Sequence, residues 1–323
     1  MMKQILITNK YVGLPRRIIE GIIDDNFEAV FLENNTKECL IDSVENADYI
    51  LASGRLIIDQ CVLEKSKCLK MIQRTGSGLD SINLDDLRNR QIPLYVNHGL
   101  NSESVAEYTL LLMLGCLRRL PVIDKNTKNG IWKKQEQGVE TKELYGKTVG
   151  LIGFGSIGRK VANMLQPFCT NTLYYSRNRA DEETENRLNV KYSNFSELLA
   201  CSDIISIHCP LTPETVHMID EDAFKIMKNG VIIINTSRGG VLDPNALALA
   251  LGDQRVAFAG IDVYENEPIT IDNPLKNLEN IILSPHIAGV TKESFERMMM
   301  SAISNIRMFD EGKLEEIEDY RVV

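Results

Sequence analysis

Short β-branched and aliphatic runs alternate along this chain with longer segments in which apolar residues recur at helical spacing. Runs at residues 4–8, 29–32, 49–51, 71–74, 148–152, 173–175, 204–208, 231–235, 259–263 and 281–283 are predicted strands. Several, such as Val231-Ile-Ile-Ile, are apolar throughout, the pattern of strands buried on both faces. Helical patterns lie between them, so the expected fold class is α/β with mostly parallel sheets. Residues 102–119 predict a long helix, with Ser102 and Ser104 as N-cap candidates and Arg118 and Arg119 in its last turn. It reads either as a core helix or as a connector between domains that also packs on a second subunit. A further helix is predicted over residues 159–166. Residues 129–144 are polar and irregular and hold the single tryptophan, Trp132, which is expected to pack.

A length of 323 residues suggests two domains, and 44% hydrophobic with 25% charged residues is enough for a sizeable core. The first residues show no secretory leader, and the longest apolar stretch, 110–117, is far shorter than the roughly 18 residues a membrane span needs. A cytoplasmic protein with no membrane partner is expected. The net charge of −9 argues against a nucleic-acid partner, which requires a basic face. It leaves room for a small anion, because one local arginine can hold a carboxylate. Seven scattered cysteines without a CxxC pair read as reduced thiols, with no metal site implied. Only four histidines occur, at 98, 208, 217 and 286, so imidazole chemistry must use one of these.

The stretch Thr148-Val-Gly-Leu-Ile-Gly153-Phe-Gly155-Ser156-Ile157-Gly158 is a strand running into GxGxxG and then into a helical pattern. The first glycine allows a tight turn and the second allows backbone to approach a pyrophosphate. The third lets helix and strand pack closely, while the helix N-terminus offers N–H groups to the anion. About 20 residues further on, an NAD site usually ends its next strand with a carboxylate for the ribose 2′-hydroxyl. Here that place holds Ser176, Arg177 and Asn178, with Arg179 close by. A hydroxyl and a guanidinium suit a 2′-phosphate, so NADP(H) is the expected cofactor, with NAD as the alternative.

Hydride transfer to a 2-oxo acid needs a group to hold the carboxylate and polarise the ketone, a proton donor, and a partner that tunes the donor. Arg238, Glu267 and His286 each follow a predicted strand, at spacings of 29 and 19 residues, where ligands gather in open α/β sheets. The surrounding motifs are Arg74-Thr-Gly-Ser77-Gly78-Leu-Asp80, Asn101-Ser-Glu-Ser-Val-Ala-Glu107 and His208-Cys209-Pro210-Leu-Thr-Pro-Glu-Thr215. To these are added Asn235-Thr236-Ser-Arg238-Gly-Gly240, Gly260-Ile-Asp262-Val-Tyr-Glu-Asn-Glu267-Pro268 and Ser284-Pro-His286-Ile-Ala288-Gly-Val-Thr291. With these motifs in order over nearly its whole length, the chain resembles the D-isomer-specific 2-hydroxyacid dehydrogenases. The Tyr-Tyr-Ser176-Arg177 stretch is most similar to that of NADP(H)-using glyoxylate and hydroxypyruvate reductases.

The resemblance implies two Rossmann-like domains with parallel sheets: a discontinuous substrate domain of residues 1–100 plus 290–323, and a larger dinucleotide-binding domain of residues 101–289. It implies that Arg238 clamps the substrate, that His286 exchanges the proton, and that Glu267 fixes the His286 tautomer and raises its pKa. Ser53, Gly54, Ser77 and Gly78 are implied substrate contacts, with the loop Ala52-Ser-Gly-Arg55 helping to choose the substrate. Thr109, the glycine turn, Cys209, Pro210, Thr215, Thr236, Asp262, His286 and Ala288 are implied cofactor contacts. His208 and His217 are implied to be structural or at the cofactor edge, and His98 to lie where the chain crosses between domains. A homodimer is implied, and in some relatives an aromatic residue such as Trp132 enters the partner's site. Alternatives remain open: an NAD-dependent D-3-phosphoglycerate or D-lactate dehydrogenase, or a cofactor-sensing, corepressor-like binding protein. The glutamate at 267, where the formate branch generally has glutamine, disfavours formate.

Overall fold

The apolar runs become strands at the centre of two parallel sheets, each in its own unit of the chain. The structure, a computed structural model, describes residues 2–54 and 56–323. One unit comprises Met1–Asn101 with Thr291–Val323, the other Ser102–Val290.

In the first unit the strands are β1 (Lys3–Ile7), β2 (Phe27–Phe31), β3 (Tyr49–Ala52), β4 (Met71–Arg74) and β5 (Leu94–Tyr95). They pair in parallel in the order β2-β1-β3-β4-β5. Alternation sorts their side chains to two faces. Leu6, Ile50 and Ile72 enter one core with Leu40, Leu63 and Leu87 of helices α2 (Lys37–Ser43), α3 (Gln60–Lys65) and α4 (Leu84–Arg90). Ile5, Ile7, Tyr49 and Leu51 face Ile19 of α1 (Leu14–Ile22) and Met299, Ala302, Ile303 and Ile306 of the C-terminal helix, Lys292–Asp310. The order reverses direction between β1 and β3, the place where open sheets gather ligands. There the Thr8 hydroxyl donates to Ser53 O (2.8 Å) and accepts from Ser53 N–H (3.0 Å).

The second unit opens with α5 (Ser102–Leu117), α6 (Leu120–Lys128) and α7 (Lys134–Gly138). Its strands are β6 (Thr148–Ile152), β7 (Asn171–Tyr175), β8 (Val190–Tyr192), β9 (Ile204–Ile207), β10 (Val231–Asn235), β11 (Val256–Ile261) and β12 (Ile281–Leu283), in the order β12-β11-β10-β9-β6-β7-β8. Between them run α8 (Ser156–Leu165), α9 (Glu182–Leu188), α10 (Phe195–Cys201), α11 (Glu221–Ile226) and α12 (Pro244–Gly252). Val149, Leu151, Ile232 and Ile234 pack on one face with α5, α8 and α9. Ile205, Ile207, Val231 and Ile233 pack on the other with α10, α11 and α12. β10 contributes to both cores and is thus covered on both sides, which is why Val231-Ile-Ile-Ile is apolar throughout.

Predicted and observed elements differ where local signals were thin. β5 has two residues and β8 is a three-residue edge strand, too short to show a period. The helix predicted over 102–119 ends at Leu117, because Arg119 takes a left-handed conformation (φ 50°) and Pro121 stands in the first turn of α6. Arg118 and Arg119 therefore lie outside the last turn of α5. Ser102 is the first helical residue of α5 rather than its cap. The stretch 129–144 is not wholly irregular, since it contains α7. Trp132 does not pack as expected; it is 83% exposed.

On β7, Tyr174 is buried and its hydroxyl donates to Glu185 (2.6 Å), which also takes two hydrogen bonds from Arg179 (2.8 Å each). The Arg179 guanidinium and the Tyr174 hydroxyl hold the Glu185 carboxyl down at about 2, against its usual 4.5. A carboxyl depressed in the folded state contributes stability above its unfolded value, and that contribution is lost as pH falls toward the folded value. Glu185→Gln should therefore lower the Tm at pH 7, and the gap from wild type should close between pH 4.5 and about 2. Thermal melts across that range check this; a gap independent of pH would mean that the pair contributes no charge-linked stability.

Candidate active site

Between β6 and β9 the sheet order of the second unit reverses, and the glycine turn sits at that switch. Gly153 has φ 100°, and a Cβ there would lie 2.5 Å from the carbonyl carbon of His208, so the turns after β6 and β9 touch through backbone. A Cβ on Gly158 would lie 2.4 Å from Gly153 O, which ties the first turn of α8 against the strand. Gly155 differs: its φ of −81° is ordinary, and a Cβ would meet no atom of the described residues within 4 Å. Neither backbone conformation nor packing inside this unit demands glycine there, whereas close approach of a pyrophosphate does. Helices α9 to α12 start on side-chain caps from Asp181, Asn194, Asp220 and Asp243, but α8 starts on Gly155 with no side-chain cap. Its first-turn N–H groups suit an anion. The helix begins three residues before the predicted 159, taking in Ser156, Ile157 and Gly158.

At the end of β7, Ser176 is partly buried, and Arg177 and Asn178 are exposed. Arg179, which the sequence placed near the same site, is committed to Glu185 and lies over the Tyr192 ring (5.6 Å). That leaves Arg177 as the cation of this loop not engaged with Glu185.

The parallel order places the ends of β10, β11 and β12 side by side, and these carry the three expected catalytic residues. Asn235 ends β10 buried. Its amide oxygen accepts from Ser237 N–H (3.0 Å) and its amide nitrogen donates to Arg238 O (3.0 Å), shaping the turn that presents Arg238. The next residue, Gly239, has no room for a side chain: a Cβ would lie 2.0 Å from the carbonyl carbon of Tyr264. The Arg238 turn thus rests on the backbone of the loop that carries Glu267. Glu267 accepts from Tyr264 N–H (2.8 Å) and stands 3.1 Å from Nδ1 of His286. The Glu267 side chain is 10% exposed and that of His286 37%, so the pair is sheltered on the carboxylate side and open on the imidazole side. The Glu267 carboxylate thus engages Nδ1 and fixes which ring nitrogen carries a proton toward it.

Asp262, an expected cofactor contact, has a carboxylate with a structural task. It is fully buried and accepts from Ser284 Oγ (2.6 Å), Ile287 N–H (2.9 Å) and Ala288 N–H (2.8 Å). Its backbone carbonyl accepts from His286 N–H (2.7 Å), and His286 itself is left-handed with φ 54°. A non-glycine residue in that region is strained, on the order of 1–3 kcal/mol, unless its surroundings hold it there. Asp262 supplies the hold.

Other expected contacts fall into two groups. Thr109 and Thr236 are buried with their hydroxyls 3.0 Å apart, so each is engaged by the other. Thr215 closes its own loop, accepting from Thr212 N–H and donating to Pro210 O (2.7 Å each). Cys209 is partly buried, and burial pushes its thiol up to about 11, which keeps it protonated at neutral pH. His208 stands with Nε2 2.9 Å from Ser206 Oγ, and burial lowers it to about 4, so it is a neutral structural imidazole. His217 pairs with Glu265. In the first unit, Ser77 and His98 are exposed, Gly78 is partly buried, Gly54 has φ 77°, and Ser53 is buried with its hydroxyl unpartnered among the described residues. Arg55, named with this loop, lies outside the described residues.

The profile of the D-isomer specific 2-hydroxyacid dehydrogenase NAD binding domain matches residues 110–288. A glyoxylate reductase of Thermococcus litoralis is 37% identical over 280 residues, covering 85% of this chain and 84% of that protein. The chain belongs to the D-isomer specific 2-hydroxyacid dehydrogenases. This dehydrogenase is thus an NAD(P)-dependent oxidoreductase acting on the CH–OH group of 2-hydroxy acids. It is also 38% identical over 260 residues to a D-3-phosphoglycerate dehydrogenase of Archaeoglobus fulgidus, covering 80% of this chain but spanning only about half (49%) of that protein. Among solved structures, D-lactate dehydrogenase of Aquifex aeolicus, complexed with NAD and lactic acid, superposes with a TM-score of 0.84 at 29% identity, covering 99% of each chain.

The sequence reading of this dehydrogenase missed Ser284 and Tyr264 as supports, although both stand within quoted motifs. Tyr264 donates from its hydroxyl to Ser284 O (3.0 Å), joining the two loops that carry Glu267 and His286. Asp262→Asn should replace an acceptor of three hydrogen bonds by a group that can clash with the Ile287 or Ala288 N–H. Losing one buried charge-assisted bond is worth about 1.5–3 kcal/mol, so kcat/KM should fall about ten- to hundredfold. Steady-state kinetics decide it; wild-type kcat/KM in the variant would show that the carboxylate does not hold His286.

Proposed function

We propose that this dehydrogenase reduces a small 2-oxo acid of the glyoxylate or hydroxypyruvate kind to the D-2-hydroxy acid, with NADPH preferred over NADH. The observation that carries the reading is the Glu267–His286 couple, with the Arg238 turn seated on the same loop as Glu267. The bound dinucleotide supplies the hydride. Arg238 has a planar guanidinium able to engage the carboxylate and the ketone oxygen together. His286 delivers a proton from Nε2 to that oxygen, while Glu267 holds Nδ1–H and favours the charged imidazolium. The first unit is read as the substrate domain, with N–H groups of Ser77 and Gly78 meeting the carboxylate. The unpartnered Ser53 hydroxyl and the neighbouring Gly54 support a substrate contact there.

Preference for NADPH rests on Ser176, Arg177 and Asn178 standing where an NAD site carries a carboxylate. A small substrate is supported by the likeness to the Thermococcus glyoxylate reductase. The same reading makes the protein a cytoplasmic homodimer joined through the second unit. The exposed Leu111 on α5 and exposed Trp132 are in line with a covered face there.

Comparing kcat/KM for NADPH and NADH with glyoxylate and hydroxypyruvate tests the cofactor. A clear preference for NADH, or turnover confined to D-lactate or D-3-phosphoglycerate, would sink the reading. Arg177→Ala should weaken NADPH by about ten- to hundredfold, the worth of one charge-assisted contact, and leave NADH nearly unchanged. Equal losses for both cofactors would remove Arg177 from the 2′-phosphate. Glu267→Gln should displace the alkaline limb of the pH–rate profile for reduction toward lower pH, because the neutral amide no longer favours the imidazolium. An unmoved limb would break the assigned pairing.

A further inference from the structure

Asn97 follows β5 by two residues, inside the first unit, and is 2% exposed. Its backbone N–H donates to Gly76 O (3.3 Å), and its side-chain Nδ2 donates to Thr75 O (3.2 Å) and to Met298 O of the C-terminal helix (2.9 Å). Its Oδ1 accepts from Ser301 Oγ (3.1 Å) and Gln73 Nε2 (3.4 Å). The fully buried Gln73 in turn donates to Arg74 O (2.8 Å) and accepts from Asn305 (3.2 Å), itself 3% exposed. The two carbonyl acceptors settle which end of the Asn97 amide is NH2, since only nitrogen can donate to both. A buried polar network of this kind is tolerated only when its members are satisfied, and one that is satisfied defines a single local arrangement.

What it defines is the backbone immediately before Ser77. Thr75 and Gly76 follow β4, and both of their carbonyls are held by one asparagine that is itself tied to the C-terminal helix. We infer that Asn97 is a positioning residue for the substrate carboxylate: by gripping Thr75 and Gly76 it aims the peptide N–H groups of Ser77 and Gly78. This rests on the reading that Ser77 and Gly78 meet the substrate. Ser77 is exposed and Gly78 partly buried; Arg74 Nε holds the segment from its far side by donating to Gly78 O (2.8 Å), and Asn97 holds it from the near side.

The test uses the full-length chain with glyoxylate and saturating NADPH, comparing Asn97→Asp, Asn97→Ser and Ser77→Pro with wild type. Asp at 97 turns an oxygen toward two carbonyls, whereas Ser is small enough to fold if Asp does not. Both variants should raise the KM for glyoxylate about tenfold, roughly the loss of one buried hydrogen bond, with kcat and the NADPH Kd almost unchanged. Partial unfolding would instead lower the apparent kcat at constant KM, so the split separates positioning from mere loss of structure. Ser77→Pro removes the N–H itself and should raise KM at least as much. If it raises KM while folded Asn97→Ser does not, the role of Asn97 is overturned. If Ser77→Pro leaves KM unchanged, the substrate reading of the segment falls, and the inference with it.

Discussion

Asp262 puts a carboxylate where water does not reach, and a buried anion is tolerated only if the protein supplies its hydrogen bonds. Here the donors are the hydroxyl of Ser284 and the peptide groups of Ile287 and Ala288, all from the one loop that carries His286. The demand of the charge therefore folds that loop, and the Asp262 carbonyl, by accepting from His286 N–H, stabilises its left-handed backbone. Remove the buried charge and nothing else on the same strand end replaces those bonds. The position of the imidazole is a consequence of satisfying this carboxylate.

The same logic extends to the neighbouring strands. Asn235 shapes the Arg238 turn through its amide, and Gly239 lets that turn lie directly on the Tyr264 backbone. Tyr264 then donates from its backbone to Glu267 and from its hydroxyl to the Ser284 carbonyl. Three strand ends are in this way welded into one surface, with their positions set by short polar contacts and one missing side chain. Precision of this kind is what proton and hydride transfer require, since small displacements of reacting groups are costly.

At the cofactor end, the chain leaves things undone rather than done. Helix α8 starts without a side-chain cap, and beside Gly155 the described residues leave open space where a Cβ would go. The four helices that follow begin on capping side chains, a difference that supports the proposed dinucleotide site at this turn. Arg179 was drawn away by Glu185, a partner on the following helix that strand-end spacing does not reveal.

Much of this was legible in the chain as written. The apolar run of β10 could be read as a strand covered on both faces, and the glycine spacing after β6 as a phosphate turn, because both depend on local patterning and backbone freedom. Arg238, Glu267 and His286 could be picked out by their place after strands. The break at Arg119, the two-residue β5, the exposure of Trp132 and the diversion of Arg179 were not legible, since each depends on a neighbour distant in sequence or on a segment too short to show a period. The task of Asp262 and the grip of Asn97 on Thr75 and Gly76 belong to the same class. Local physics let the sequence by itself determine which residues are apolar, where most strands run and which side chains are candidates for chemistry. Only the tertiary structure decided which of those side chains are held, and by what, because a buried polar group finds its partner through packing, and packing has no signature in spacing.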